Sequence, residues 1–326
     1  MQVRTTEKGK SSGFCPRQSF RSVVCMISKF TDIGIPEDVA KAMDDMGWEE
    51  PTPIQINSIP LGLKGVDMFG QAQTGTGKTG AYGSIILGTI EAGRKVPSAI
   101  VLVPTRELAN QVSGELSKLS KYSGHVCLPI YGGASIEGQI KKLQQGCDIV
   151  AGTPGRVRDM INRGVLNLTE VSTMVLDEAD RMLDMGFIED IEYILKAMPE
   201  KRHTMLFSAT MQENVKQLAF DYMHNPKEVS VSQDEVVLDL TKQYYISVGR
   251  RNKSWALCRI LDIDKPKAII FCQTKKMVDV LDERLTNLDY KVEAIHGDMP
   301  QSKREKVMSD FREDKTDILI ATDVAA

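Results

Sequence analysis

Two short segments carry the residue types that phosphate chemistry requires. The first is Ala72-Gln73-Thr74-Gly75-Thr76-Gly77-Lys78-Thr79, which directly follows the apolar run Val66–Gly70 and precedes a helix-like stretch. Glycines there let consecutive backbone N–H groups turn inward on phosphate oxygens, and a helix N-terminus adds partial positive charge. A lysine in the position of Lys78 reaches the β- and γ-phosphates, and a hydroxyl in the position of Thr79 ligates magnesium. Gly75, Thr76, Gly77 and Thr74 supply the cradle. The strict pattern GxxxxGK[ST] would put glycine where Ala72 stands, so this loop is a variant. A Gly-rich turn before any helix would account for the glycines but not for Gly-Lys-Thr in series at its end.

Such a loop needs an acidic partner at the end of a neighbouring strand. Thr173-Met174-Val175-Leu176 runs into Asp177-Glu178-Ala179-Asp180, with Asp177 standing 99 residues after Lys78. In that context Asp177 is suited to hold magnesium, partly through water, and Glu178 to orient or deprotonate an attacking water. Taken alone, the tetrapeptide would equally serve as an acidic helix N-terminus, where carboxylates favour the dipole.

These residues must be positioned by elements, and the chain supplies them by alternating short β-rich apolar runs with longer amphipathic ones. Candidate strands are Val66–Gly70, Ala99–Val103, Asp148–Ala151, Thr173–Leu176 and Thr204–Phe207, followed by Lys267–Cys272, Lys291–Ile295 and Ile318–Ala321. Candidate helices are Lys78–Glu91, Arg106–Ser120, Ile188–Ala197, Glu213–Met223, Lys275–Leu288 and Ser302–Phe311. This alternation predicts a parallel α/β architecture. The pattern loosens around Asn225–Asp239, which reads as an interdomain linker.

The 326 residues, 42% hydrophobic and 26% charged, fit two globular domains and exclude disordered or collagen-like structure. No apolar run approaches the ~20 residues of a membrane-spanning helix, so a soluble protein is expected. The cysteines at 15, 25, 127, 147, 258 and 272 form no CxxC pair. They read as buried thiols in a reducing compartment, and a cytoplasmic location is expected.

Net charge is −3 but unevenly spread. Residues 1–29 hold six Lys/Arg against one Glu, and residues 241–326 sixteen against fourteen. That leaves nineteen against twenty-nine for residues 30–240. No broad basic field is present, so a nucleic-acid role must rest on specific residues. The basic, Ser-rich residues 1–29 read as a flexible extension, either a leader or an over-extended frame with Met26 as the start.

From Phe30 to its last residue the chain resembles the DEAD-box ATP-dependent RNA helicases. Gly47-Trp48-Glu49-Glu50-Pro51-Thr52-Pro53-Ile54-Gln55 looks like the family's Q motif, with Trp48 where phenylalanine is usual. Phe30 stands where the family places its adenine-stacking aromatic. An amide such as Gln55 offers a donor and an acceptor together, which fits the N6/N7 edge of adenine. The resemblance therefore implies ATP with Mg2+.

Pro104-Thr105-Arg106-Glu107-Leu108-Ala109, Gly132-Gly133 and Thr153-Pro154-Gly155-Arg156 match the family's first-domain RNA motifs. Ser208-Ala209-Thr210 matches the motif whose hydroxyls bond the acidic box, with Asp180 the expected partner. It would couple ATP state to RNA binding, although a Ser/Thr helix cap before residue 211 would also suffice. Ile270-Phe271-Cys272-Gln273-Thr274, His296-Gly297-Asp298-Met299 and Gln301 with Arg304 match second-domain motifs.

On this resemblance RNA is contacted through Pro104, Thr105, Arg106, Gly133, Thr153 and Arg156, then Gln273, Arg304 and Thr322. The contacts are to the backbone and independent of base sequence. A solvated helix charge remains the alternative for Arg304.

The implied fold is two RecA-like parallel-sheet P-loop domains, with residues 30–230 the first, 231–240 a linker and 241–326 an incomplete second. The chain ends at Ala321-Thr322-Asp323-Val324-Ala325-Ala326, inside what looks like motif V and before the arginine-rich motif VI. ATP- and RNA-driven domain closure is the implied mechanism. Without those motifs, weak binding with little RNA-stimulated hydrolysis is expected, because arginine fingers can be worth about 10³–10⁵ in rate. A non-catalytic RNA-binding or regulatory short form is the alternative. A monomer is expected.

Overall fold

The computed structural model describes residues 29–72, 75–230, 242, 244–264 and 267–322. The expected N-terminal extension up to residue 28, Gln73, Thr74, the expected linker at 231–240 and everything after Thr322 lie outside the described residues.

In chain order the strands are β1 (Met68–Gln71), β2 (Ala99–Leu102), β3 (Cys127–Ile130), β4 (Ile149–Gly152), β5 (Thr173–Asp177), β6 (His203–Ser208), β7 (Lys227–Ser230), β8 (Ala268–Cys272), β9 (Val292–Ile295) and β10 (Ile318–Thr322). The helices are α1 (Glu37–Asp45), α2 (Pro53–Gly62), α3 (Lys78–Thr89), α4 (Arg106–Leu119), α5 (Ile136–Gln145), α6 (Pro154–Asn162), α7 (Ala179–Asp184), α8 (Ile188–Lys196), α9 (Glu213–Tyr222), α10 (Lys253–Asp264), α11 (Lys275–Thr286) and α12 (Gln301–Arg312). The chain divides into two compact units: among the described residues the first holds 29–130 and 140–230, and the second holds 131–139 together with those from 242 onward.

In the first unit seven strands form one sheet in the order β3-β4-β2-β5-β6-β1-β7, and all neighbours run parallel. β2, β4, β5 and β6 are buried along their whole length. That is why they read in the sequence as continuous apolar runs rather than alternating ones.

The two edges read differently. β3 contains Pro129, whose missing N–H is tolerated at an edge. β7 buries only Val229. Lys227–Ser230, inside the loosely patterned stretch that starts at Asn225, pair with Met68–Gln71, an interaction that a polar tetrapeptide does not advertise.

The second unit has three described strands in the order β8-β10-β9, all parallel. Ile318 and Ile320 of β10 pack with Val278, Leu281 and Leu285 of α11, whereas Leu319 and Ala321 pack with Val307 of α12. On β8, Ile269 and Phe271 remain exposed.

Among the described residues no helix is long and apolar enough to cross a membrane. Cys127, Cys147 and Cys272 are buried free thiols. Cys258 departs from the expected burial and is half-exposed on α10.

Candidate functional site

The phosphate-loop candidates leave the C-terminal end of β1, a strand held between β6 and β7. Gly75 and Gly77 take positive φ, +83° and +91°, and α3 begins at Lys78. A Cβ on Gly77 would lie 2.8 Å from Gln55 Nε2 and 2.9 Å from Thr52 Oγ1, so glycine is required by both conformation and space. Lys78 is 6% exposed, and its Nζ makes no hydrogen bond among the described residues. The nearest carboxylate oxygen is Asp177 Oδ1, at 3.5 Å. A buried ammonium with unsatisfied N–H groups is a costly arrangement unless an anion completes it. Thr79 follows it, half-buried.

Asp177 closes β5, paired in register with Phe207 of β6. Its Oδ1 accepts the N–H of Glu178 at 2.9 Å, and its Oδ2 accepts the hydroxyl of Tyr82 at 3.0 Å. Glu178 adopts the left-handed region, φ 55° and ψ 48°, uncommon outside glycine and frequent at functional sites. Burial, then the neighbouring charge of Asp177, raises its carboxyl above the ordinary glutamate range, against the opposing pull of Lys78 and Arg181.

One turn on, Asp180 Oδ2 accepts both the hydroxyl and the N–H of Thr210, and the N–H of Asp180 donates to Ser208 Oγ at 3.3 Å. The Ser208 hydroxyl itself donates to the carbonyl of Thr210 at 2.7 Å. Burial raises the Asp180 carboxyl, but hydrogen bonds from Thr210, Ser208 and backbone N–H groups outweigh it and hold the group below the usual range. The N-cap of α9 is Gln212 rather than Ser208 or Thr210, so neither hydroxyl is spent on that helix.

Gln55, buried on α2, is pinned at both ends of its amide: Oε1 accepts from Thr52 N at 2.8 Å, and Nε2 donates to Gly77 O at 3.1 Å. One lone pair and one N–H remain for a ligand. Phe30 is buried in a 3-10 turn, Phe30–Ile33. Trp48 covers Gly80 of α3, where a Cβ would meet its ring at 2.6 Å.

Thr105 and Thr153 cap α4 and α6 at the C-terminal ends of the paired strands β2 and β4. Thr105 accepts from Leu108 N, Pro104 is buried, and Arg156 lies 3.9 Å from Asp159. Arg106 is half-buried, and Gly133 is exposed with φ +84°.

In the second unit Gln273 is exposed just past β8, and Thr322 closes β10 beside Cys272. Arg304 is 5% exposed, which overturns the alternative of a solvated helix charge. Thr74 cannot be placed, because it lies outside the described residues.

The residue that sequence reasoning missed is Tyr82, whose hydroxyl stands among the acidic and hydroxyl candidates. Its only sequence signal was the i, i+3 spacing from Thr79.

A parallel sheet with a glycine loop, a buried lysine and an acidic strand end at neighbouring C-terminal edges has the architecture of a P-loop domain. The DEAD/DEAH box helicase model matches residues 52–218, and the helicase conserved C-terminal domain model matches residues 252–326. The chain belongs to the DEAD-box helicase family, with two RecA-like parallel-sheet domains.

It is 48% identical over 302 residues to the ATP-dependent RNA helicase CshA of Listeria monocytogenes, covering 92% of this chain and 58% of that protein. To CshA of Geobacillus kaustophilus it is 48% identical over 301 residues, 92% of this chain and 64% of that one. It therefore spans roughly three-fifths of the length of these relatives. Among solved structures, S. cerevisiae Dbp5 bound to RNA and ADP BeF3 matches with TM-score 0.84 and 30% identity, covering 91% of this chain and 76% of that one. A DEAD box protein from Methanococcus jannaschii matches with TM-score 0.61 and 39% identity, covering 91% and 80%.

Proposed function

We propose that this chain binds ATP with Mg2+ in its first unit and uses that binding to hold and remodel RNA, as an ATP hydrolase of the RNA helicase class acting in the cytoplasm. The observation that carries the reading is Lys78 Nζ, buried, without a hydrogen bond among the described residues, and set just after a loop whose Gly75 and Gly77 take positive φ. The donor set fits a phosphate tail. Among the described residues no cluster of three or more His, Cys, Asp or Glu could hold a metal by itself. Mg2+ is usually held by one or two protein ligands together with substrate phosphates.

Thr79 and Asp177 would hold the Mg2+, and Gly75, Thr76, Gly77, Lys78 and Thr74 the phosphates. Gln55, in the segment resembling the Q motif, has one lone pair and one N–H to offer adenine. Phe30 is assigned to the base by resemblance. When bound, Mg2+ supplies charge neutralisation across the transferring phosphoryl group. Glu178 accepts the proton of the attacking water, a role favoured by its raised carboxyl, which is a stronger base than an ordinary glutamate.

Asp180, Ser208 and Thr210 link the acidic strand end to the next strand and couple nucleotide state to RNA. Pro104, Thr105, Arg106, Thr153 and Arg156 in the first unit, with Gly133, Gln273, Arg304 and Thr322 in the second, are assigned to the RNA backbone. The Dbp5 structure, described as bound to RNA and ADP BeF3, supports this assignment by likeness.

Calorimetric titration of the chain with ADP and Mg2+, followed by an ATPase assay with and without single-stranded RNA, tests the proposal. Saturable nucleotide binding is expected, with a hydrolysis rate that responds only weakly to RNA, whatever its sequence. No detectable nucleotide binding would overturn it.

A further inference from the structure

We propose that Tyr82 is a positioning residue that orients both cation-ligating side chains, Thr79 and Asp177, through its single phenolic oxygen. This rests on the reading that the first unit binds a nucleotide with a divalent cation.

Tyr82 lies on α3 one turn after Thr79 and has 0% exposure. Its ring packs against Phe207 of β6, with centroids 5.7 Å apart and planes at 45°. Phenylalanine would fill that space equally well, so packing alone does not call for the hydroxyl. The hydroxyl reaches two groups among the described residues: Asp177 Oδ2 at 3.0 Å and Thr79 Oγ1 at 3.5 Å.

A phenol has one hydrogen to give. The nearer, charged acceptor takes it, because a hydrogen bond to a carboxylate is the stronger of the two. The phenolic lone pair then faces Thr79 Oγ1 at 3.5 Å, and the Thr79 hydroxyl is free to rotate its hydrogen toward it. So rotated, Thr79 is a donor toward Tyr82 with its lone pairs directed elsewhere, as a ligating hydroxyl requires.

Asp177 is fixed at the same time. Oδ2 is held by Tyr82 and Oδ1 by the N–H of Glu178 at 2.9 Å, so the carboxylate plane is determined before any cation arrives. Hydrogen bonding of this kind orients the ligands around a metal and typically accounts for 10–100-fold in affinity.

The test compares the wild-type chain with Tyr82→Phe, which keeps the ring and its contact with Phe207. Free Mn2+ is followed by electron paramagnetic resonance during titration in the presence of saturating ADP. ADP affinity is measured separately in EDTA, and unfolding is followed by thermal melting. The expected result is Mn2+ held on the order of tenfold more weakly in Tyr82→Phe, with metal-free ADP affinity and melting midpoint little changed.

Equal Mn2+ affinity in the two chains overturns the proposal and leaves the nucleotide reading standing. Parallel loss of metal-free ADP affinity and thermal stability assigns Tyr82 to packing and overturns it too. A wild-type chain that binds neither ADP nor Mn2+ overturns the nucleotide reading itself, and this inference with it.

Discussion

Thr210 gives both its hydroxyl and its backbone N–H to one oxygen of Asp180, at 2.7 and 2.9 Å. Two segments 30 residues apart in sequence are thus tied at a single acceptor atom. The tie joins the acidic turn after β5 to the loop after β6.

Thr210→Ala removes the side-chain half of that tie. The Asp180 carboxyl is depressed in the folded chain, so its contribution to stability is present above the unfolded value of about 3.9. It is lost as pH falls through the lower folded value. The variant should be less stable near neutral pH by about 1 kcal/mol, the low end for a hydrogen bond to a charged acceptor because the pair is partly solvated. The difference should close as Asp180 protonates in both chains. Urea unfolding across that pH range measures it, and a variant as stable as the parent at neutral pH counts against the assignment.

Lys78→Ala should weaken ATP binding by about 2–4 kcal/mol, or roughly 30- to 700-fold, the range for removing one partner of a buried charged pair. Asp177 keeps the hydrogen bonds from Tyr82 and Glu178 N–H, so the variant should still fold. Calorimetry showing undiminished affinity would reject the loop assignment.

Glu178→Gln should leave nucleotide affinity nearly unchanged and reduce basal hydrolysis by about 10²–10⁴, the usual contribution of a positioned base. In the parent the raised carboxyl must ionise to act as a base. The rate should therefore fall, on acidification, at a higher pH than an ordinary glutamate near 4.3 would give. A pH–rate profile without that displaced acid limb argues for a different base.

Gln55→Ala should erode discrimination between ATP and GTP by about 1–3 kcal/mol, the worth of a two-point amide contact to a base edge. It also removes the Gln55 bond to Gly77, so affinity for both nucleotides should drop somewhat. Competition binding separates the two effects. Equal losses for both nucleotides with the preference intact would confine Gln55 to shaping the loop.

The sequence made the centre of the molecule legible. β2, β5 and β6 are continuous apolar runs ending in polar motifs, a pattern that burial on both faces imposes. Edges were not legible in the same way. β3 is apolar but short and broken by Pro129, which argues against a strand, and β7 with one buried residue has no apolar signature because most of it faces solvent. The short α7 and the proline-containing α2 also escape periodicity, one for lack of length and the other because Pro60 interrupts its helical character.

Within the site, Lys78, Asp177 and the Ser208–Thr210 segment were visible by residue type and order. Tyr82 was not, since a single tyrosine in an apolar helix reads as core. The depth that makes it core is also what brings its hydroxyl onto Asp177.

The strand order has a consequence for how the protein comes into being. β6 lies between β5, which carries Asp177, and β1, which carries the phosphate loop. Thr204 at the start of β6 bonds Asp67 from 137 residues earlier. A nascent chain that has emerged only through α8 already contains Lys78 and Asp177, yet lacks the strand that sets their spacing. Such long-range pairing is slow to form. Nucleotide competence should therefore arrive late in synthesis, only after β6 has left the ribosome and slotted between its neighbours.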